Sequence, residues 1–470
     1  MKNIYSTIRS AAAVAFAIVA LVSCDDLLDT EPSTQIPADD ALKSGKNVES
    51  TLIASYSDLI SFDVLGGRAQ LYSELLSDNI GLNEVILSAT DFTGQVALRN
   101  TNILNKDVDF LWTNGYRAIA RANAVVSAVD NKTVSDGTAA SAQEKWKGEA
   151  LFIRAVAHFE LVRLFAQPYS NSPASDLGIP IRTRSLSQDE KLPRATVDQV
   201  YTQVIKDLTD AIGLLPDENG NHATTWTVKG YLARVYFSKL DYPNARAVAE
   251  DVLTNSGQAL QENPFTAFRN IGNVVPQGGV VFQIVKSDNP FGSFRPQSNQ
   301  YSLSQGANGV FDALVASGPQ DFRANTATGT SIAGGRAFSR KWDTNTANIP
   351  VVRVAELYLT HAEAAAQASE LGAAADSYNA VRGFALGAGY TPVTFGSQAE
   401  ALEAIRAERR IELVFEGDRL HELRRLKTAS FGEVRNGNTL IREAVAYNAA
   451  SLLLKIPVSE TSGNPEIVQN

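Results

Sequence analysis

Cysteine is almost absent from this chain, which has one such residue, Cys24, among 470. A single cysteine cannot form a disulfide within the chain, so the fold must be held together by burial of apolar side chains. A chain of this length with 44% hydrophobic residues can bury a sizeable core. The same count removes most thiol and redox chemistry from the functions to be considered.

Histidine and the common catalytic motifs are also scarce. None of the four histidines stands in a spacing typical of metal sites, and we expect each to be a packed or surface residue: His158, His222, His361 and His421. The chain has no Gly-Lys-Ser/Thr phosphate loop, no nucleophile elbow and no glycine fingerprint for dinucleotides. Without these motifs the sequence gives no reason to expect a metal, a cofactor or catalysis. Pairs of carboxylates occur in any chain with so many acidic residues, so composition does not exclude a glycosidase.

Acidic residues outnumber basic ones by 51 to 42, which makes the formal net charge −9. Loss of residues 1–23 would remove Lys2 and Arg9 and no acid, which lowers this charge by two, to −11. A surface of this sign repels polyanions as a whole, so nucleic acid is not an expected partner.

The N-terminus is typical of a bacterial lipoprotein signal. Lys2 and Arg9 precede an apolar run over residues 11–22, and small residues lead to Cys24 at the predicted cut. The run is shorter than the roughly 20 residues that cross a bilayer. We therefore expect residues 1–23 to be removed and Cys24 to carry lipid; the alternative is an ordinary secreted protein with a free Cys24. Residues 24–37 are acidic and rich in proline, serine and threonine, which predicts a flexible tether.

Beyond the tether the apolar pattern is mainly helical. Amphipathic helices are predicted over residues 110–129, 146–166, 196–212 and 227–239, and Phe110 is assigned to the buried stripe of the first of them. Residues 227–253 and 353–384 alternate small and large apolar residues in a way that resembles tetratricopeptide helix pairs. A generic helical hairpin is the alternative for either segment alone.

Residues 256–349 lose the helical pattern, with residues 280–285 as the best strand candidate. Long irregular segments in compact proteins often bind ligands. We therefore predict that Phe291, Phe294 and Tyr301 stack on a ligand and that Arg295, Asn299 and Gln300 hydrogen-bond to it. Two alternatives stay open: the aromatic rings pin the segment to the body, or the site lies near Phe62 or Asn83.

The most densely charged segment, residues 405–426, is predicted as a helix. Glu408, Glu412 and Glu416 would share one face, with Arg409 and Arg419 as their partners. Apolar residues between them favour a buried structural helix over a carboxylate–arginine active cluster.

Several of these segments together resemble the SusD/RagB family of outer-membrane nutrient-binding lipoproteins from the Bacteroidetes, in the family's order and nearly from end to end. They are residues 24–29 (CDDLLD), 116–123, 148–155 (GEALFIRA), 161–165 (LVRLF), 194–196 with 207–208, 353–359 (RVAELYL), 362–364 (AEA), 379–382 (NAVR), 408–425 and the terminal 456–457, 464–465 and 469–470.

The resemblance implies an all-α fold in which tetratricopeptide-like helix pairs support an irregular ligand-facing part, here a single domain over residues 38–470. It also implies non-catalytic capture of an oligosaccharide, or of a peptide, at the cell surface and delivery to a SusC-like TonB-dependent outer-membrane barrel. The family's binding residues lie in variable loops, so none transfers to this chain by match, and Trp342 resembles a core residue. A surface glycan-active enzyme and a helical-repeat assembly scaffold are the alternatives.

Overall fold

The computed structural model describes residues 41–82, 91–184, 191–286, 291, 294, 300–344, 346–435 and 439–470. The predicted signal, Cys24 and the tether lie outside these residues. Among the described helices, none combines the length and the apolar character needed to cross a membrane.

The described chain is mainly helical, as predicted. Its helices are α1 (Gly45–Leu59), α2 (Arg68–Leu76), α3 (Phe92–Ala97), α4 (Lys106–Asp130), α5 (Ala140–Phe165), α6 (Val197–Ile212), α7 (Thr225–Ser238), α8 (Tyr242–Asn255), α9 (Val310–Ala316), α10 (Val354–Gln367), α11 (Leu371–Leu386), α12 (Gln398–Glu412), α13 (Arg419–Arg425) and α14 (Val458–Gly463).

Short antiparallel strand pairs connect the helices. The strands are β1 (Ile80–Gly81), β2 (Val280–Ile284), β3 (Ser302–Leu303), β4 (Thr330–Ala333), β5 (Arg336–Ser339), β6 (Ile349–Arg353), β7 (Glu433–Arg435) and β8 (Thr439–Arg442). The described pairs are β1 with β3, β2 with β6, β4 with β5, and β7 with β8. The strand predicted over residues 280–285 is therefore confirmed as β2, and residues 256–349 are largely irregular as expected.

Side-chain caps set where the helices begin. The Asn105 side-chain oxygen accepts hydrogen bonds from the backbone N–H groups of Asp107 and Val108, both at 3.1 Å, which starts α4. Thr196 and Gln199 form a reciprocal capping box at the start of α6. The predicted start of the helix at Thr196 is thus confirmed, and the first predicted helix begins four residues earlier than expected.

The two predicted helix pairs are present as α7 with α8 and α10 with α11, each joined by a short turn. Small residues let the helices approach closely: Ala245 and Ala249 of α8 are fully buried, as are Ala362 and Ala365 of α10. A large apolar core lies across most helices, and a second apolar cluster lies between α10, α11 and α12.

The continuous helix predicted over residues 408–425 is wrong, because α12 ends at Glu412 and α13 begins at Arg419. Between them Phe415 and Gly417 adopt positive φ angles of 65° and 82°, which a right-handed helix cannot accommodate. A β-carbon at Gly417 would lie 2.9 Å from the Gln70 backbone, so glycine is also required there by space.

The carbonyl groups left open by this break are satisfied by two neighbouring residues of the irregular segment. The Lys341 ammonium donates to the carbonyl oxygens of Glu412 (2.7 Å) and Val414 (2.9 Å). The Trp342 indole N–H donates to the Phe415 carbonyl oxygen at 3.1 Å. Trp342 is buried, so its predicted place in the core is confirmed.

The three glutamates of the charged segment are buried, but their partners differ from the predicted ones. Glu408 and Glu412 both pair with Arg323, at 2.7 and 2.9 Å. Glu412 and Glu416 both pair with Arg353, at 2.9 and 2.6 Å. Burial alone would raise the pKa of Glu416, but Arg353 and Lys341 overcome it and hold that pKa below its usual range.

The two arginines predicted as partners bind other carboxylates. Arg409 pairs with Asp418 at 2.6 Å. Arg419 pairs at 2.8 Å with Asp78, which lies two residues before β1. Every one of these contacts joins segments of the body, which supports the structural interpretation of the cluster over a catalytic one.

Glu74 of α2 is a fully buried carboxyl next to the break. One of its oxygens accepts a hydrogen bond from the Gly417 N–H at 2.8 Å, and the other has no partner among the described residues. Burial raises the pKa of Glu74 to about 7, with the Gly417 N–H opposing this shift and Asp418 adding to it.

We predict that Glu74→Gln stabilises the protein at alkaline pH. Because the folded carboxyl keeps its proton to a higher pH than the unfolded one, its contribution to the free energy of unfolding falls between about pH 4.5 and pH 7 and stays low above that. Glutamine removes this loss, so the variant should match wild type at about pH 4 and exceed it at about pH 8 by on the order of 3 kcal/mol. Urea unfolding at both pH values measures the difference. Exposed Glu144→Gln is the control, and a less stable Glu74→Gln at pH 8 would contradict the prediction.

Candidate functional site

The three aromatic residues predicted to stack on a ligand are core residues. Phe291, Phe294 and Tyr301 expose 1%, 0% and 4% of their surface. The ring centres of Phe291 and Trp342 are 4.5 Å apart, and those of Phe294 and Phe415 are also 4.5 Å apart. A ring buried to this extent has no free face for a ligand, so the predicted stacking role is corrected: these rings pin the segment to the body.

The structure describes only one of the three polar residues that were predicted to hydrogen-bond to the ligand. Gln300 is exposed, and its backbone oxygen accepts a hydrogen bond from Arg336 at 3.1 Å. Arg295 and Asn299 lie outside the described residues. Ligand binding by these three polar side chains therefore stays a prediction.

The strand pair of β1 and β3 joins the two segments that the sequence offered as candidate binding loops. Ile80 pairs with Leu303, so residues 83–90 follow one strand and residues 295–299 precede the other. Arg336 of β5 donates to the carbonyl oxygens of Gly81 (3.0 Å) and Gln300 (3.1 Å). One guanidinium group thus holds the backbones of Gly81 and Gln300 side by side.

A second exposed group, which we call the Phe62 cluster, consists of Phe62, Asp63, Arg68, Asp107 and Phe110. The Arg68 guanidinium carbon lies 4.9 Å from the centre of the Phe62 ring and 5.9 Å from that of Phe110. Arg68 pairs with Asp63 and, at 2.6 Å, with Asp107. The two rings remain 41% and 49% exposed, so each offers apolar surface to solvent beside fixed charges.

The loop between α1 and α2 places Phe62 in this cluster. The Arg68 N–H donates to the Phe62 carbonyl oxygen at 2.8 Å, which folds the loop back on itself. A β-carbon at Gly67 would lie 2.4 Å from the Phe62 ring, so only glycine permits this approach. Asn114 of α4 donates to Asp63 at 2.6 Å, and Tyr72 of α2 donates to Asp107 at 3.3 Å. Both carboxylates are therefore held in place before any ligand arrives.

Phe110 was assigned to the buried stripe of its helix, and this was wrong. Leu111, the next residue, is buried, whereas Phe110 lies on the exposed side of α4 beside Arg68. Each helical step of about 100° turns neighbouring side chains in different directions, and the surrounding fold decides which of them face the core.

The chemistry of the Phe62 cluster is that of a binding surface. Aromatic faces pack against the C–H face of a sugar ring or against an apolar side chain, and oriented carboxylates and a guanidinium accept from and donate to polar groups. No group of three or more histidine, cysteine, aspartate or glutamate side chains in the described part of the chain is placed to hold a metal ion.

Comparison with known proteins identifies the family. Residues 26–237 match a SusD-like family model described as starch-binding and associating with the outer membrane, and residues 316–470 match the SusD family model. The chain belongs to the SusD family. Its SusD-like relatives include protein P25 of Formosa agariphila, 22% identical over 64% of this chain, and a protein of Bacteroides ovatus, 28% identical over 36% of it. These matches cover 55% and 32% of those relatives, so this chain spans about half of their length or less.

Solved SusD structures share the fold across almost the whole chain. A structure from Bacteroides vulgatus, named as a candidate sugar-binding protein, has a TM-score of 0.79 and 28% identity, covering 92% of this chain and 99% of its own. A SusD superfamily protein of Bacteroides thetaiotaomicron also has a TM-score of 0.79, with 23% identity over 91% of this chain and 99% of its own. The mainly helical SusD fold expected from the sequence is thereby confirmed.

We predict that Phe294→Ala acts on stability. Removing a buried ring leaves a cavity beside Phe415, which should cost about 3 to 5 kcal/mol of the free energy of unfolding. Phe62→Ala, which truncates a half-exposed ring, is the matched control and should cost less than about 1 kcal/mol. Chemical denaturation of the two variants measures both values. If Phe294→Ala were as stable as wild type, the ring would not be a core residue, and its predicted role in stacking on a ligand would stand again.

Proposed function

We propose that this SusD-family chain is a non-catalytic surface protein that captures an oligosaccharide and delivers it to a SusC-like TonB-dependent barrel in the outer membrane. The observation that carries the proposal is the match of residues 26–237 and 316–470 to SusD family models, one of them described as starch-binding. The mature protein is anchored through lipid on Cys24, with residues 24–37 as its tether.

The ligand binds at the Phe62 cluster, and Arg295, Asn299 and Gln300 add hydrogen bonds. Three features support this placement: two half-exposed rings, carboxylates held by Asn114 and Tyr72, and a guanidinium fixed between the rings. Such a surface suits a protein that must release what it binds, because moderate affinity comes from a few aromatic contacts rather than from a deep charged pocket.

We predict that Phe110→Ala weakens ligand binding about thirtyfold, since an aromatic anchor of this kind contributes about 2 kcal/mol. A glycan and peptide array on residues 25–470 first identifies the ligand, and calorimetry then compares the variants. Phe431→Ala is the matched control, because Phe431 is also about two-fifths exposed but lies near Asp78, away from the Phe62 cluster. Undiminished affinity in both Phe110→Ala and Phe62→Ala would place the site elsewhere, and peptide binding without glycan binding would exclude the oligosaccharide.

We also predict that Cys24→Ala releases the protein from the membrane fraction. Two or three acyl chains hold a protein far more durably than one, at about 0.8 kcal/mol per buried methylene, and the variant has none. Fractionation of cells that express either form measures the distribution, with Ser23→Ala as a control that keeps the cysteine. A variant as membrane-bound as wild type would show that the anchor is elsewhere.

A further inference from the structure

Arg424 of α13 is a buried cation without a carboxylate partner. It is 2% exposed, and its two terminal nitrogens donate to the carbonyl oxygens of Arg163 and Ala166, each at 2.7 Å. Its Nε–H has no partner among the described residues. Burial lowers the pKa of Arg424 to about 10, with Tyr201 opposing the shift, so the group is still charged at neutral pH.

The other large buried arginines of this region differ in this respect. Arg323, Arg353, Arg409 and Arg425 each contact a carboxylate within 3.0 Å: those of Asp321, Glu416, Asp418 and Glu363. An unpaired buried charge is costly, because neither water nor an opposite charge replaces its hydration. These four buried arginines are therefore compensated by carboxylates, whereas Arg424 is not.

A small cavity of about 20 Å³, partly open to solvent, adjoins this arginine where the end of α5 meets α7 and α13. Arg424 lines it together with Arg163, Arg425, Tyr201, Ser238 and His421. The Arg163 Nε–H also has no partner in the described chain. One acceptor, the Gln167 side-chain oxygen, is likewise unpaired there.

The charges around the cavity leave one positive charge in excess. Arg163 pairs with Glu160, and Arg425 pairs with Glu363 at 2.9 Å. Burial and the neighbouring arginines push the pKa of His421 well below its usual range, so this histidine is neutral. The three guanidinium groups that line the cavity thus have two carboxylate partners, one of which, Glu363, is shared with Arg406, and Arg424 has none.

We propose that this cavity binds one small monovalent anion, such as chloride, through the free Nε–H groups of Arg424 and Arg163. A water-sized occupant needs about 10 to 15 Å³, so the cavity has room for a single-atom ion, and one unpaired guanidinium charge matches one monovalent ion. The bound anion neutralises the charge where α13 packs against the end of α5. This inference is independent of the nutrient ligand.

Halide-dependent stability tests the proposal. Thermal unfolding of residues 25–470, which include every described residue, is compared in sodium gluconate, chloride and bromide at equal ionic strength. An ion that binds only the folded state raises the melting temperature, by about 2 °C when the halide is in tenfold excess over its dissociation constant. Arg424→Met should abolish this dependence.

Arg194→Met is the matched control. Arg194 is also buried without a carboxylate partner, but its three nitrogen groups all donate to carbonyl oxygens, those of Gly178, Leu177 and Val468. This variant should lose stability and keep the halide dependence. Halide dependence that survives in Arg424→Met would overturn the proposal.

Crystals of the wild-type protein grown in sodium bromide give a second measurement that does not depend on folding of the variants. We expect an anomalous bromide peak within hydrogen-bond distance of the Arg424 Nε atom. A water at that position, with equal melting temperatures in gluconate and bromide, would show that the cavity is merely hydrated.

Discussion

The break between α12 and α13 is the constraint on which the rest of the structure depends. Three other parts of the chain meet there: Lys341 and Trp342 cap the open carbonyl groups, Glu74 accepts from the Gly417 N–H, and the Phe294 ring stacks on Phe415. Because each of these groups is buried, a continuous helix would leave them unpaired. The irregular segment therefore has a defined position although it has little regular structure of its own.

The buried charges beside the break also fix the positions of neighbouring segments. Replacing buried ion pairs by apolar residues is often neutral, so these pairs do not by themselves account for stability. Their geometry is nonetheless specific: Arg323 bridges Glu408 and Glu412, and Arg353 bridges Glu412 and Glu416. A shift of either arginine along the helix would leave a carboxylate unpaired. We infer that the network sets the register between the irregular segment and α12.

The presence of the helices and the start at Thr196 were predictable because their signals are local. Thr196 and Gln199 form their capping box within four residues of sequence. The helix break was missed, since positive φ at Phe415 is uncommon for an aromatic residue and depends on partners such as Trp342, far away in sequence. The ion pairs were missed for the same reason. Aromatic residues were the least reliable guide to the ligand-binding site, because the sequence does not tell whether a given ring faces the core or the solvent.

The burial of those rings also changes where a ligand can bind. The core uses the Phe291, Phe294 and Tyr301 rings of the irregular segment, whereas the Phe62 and Phe110 rings stay exposed beside fixed charges. The β1–β3 pair lies between the described residues that border 83–90 and 295–299, and its register is fixed by buried Ile80 and Leu303. Core packing therefore sets this register, whichever ligand the protein binds.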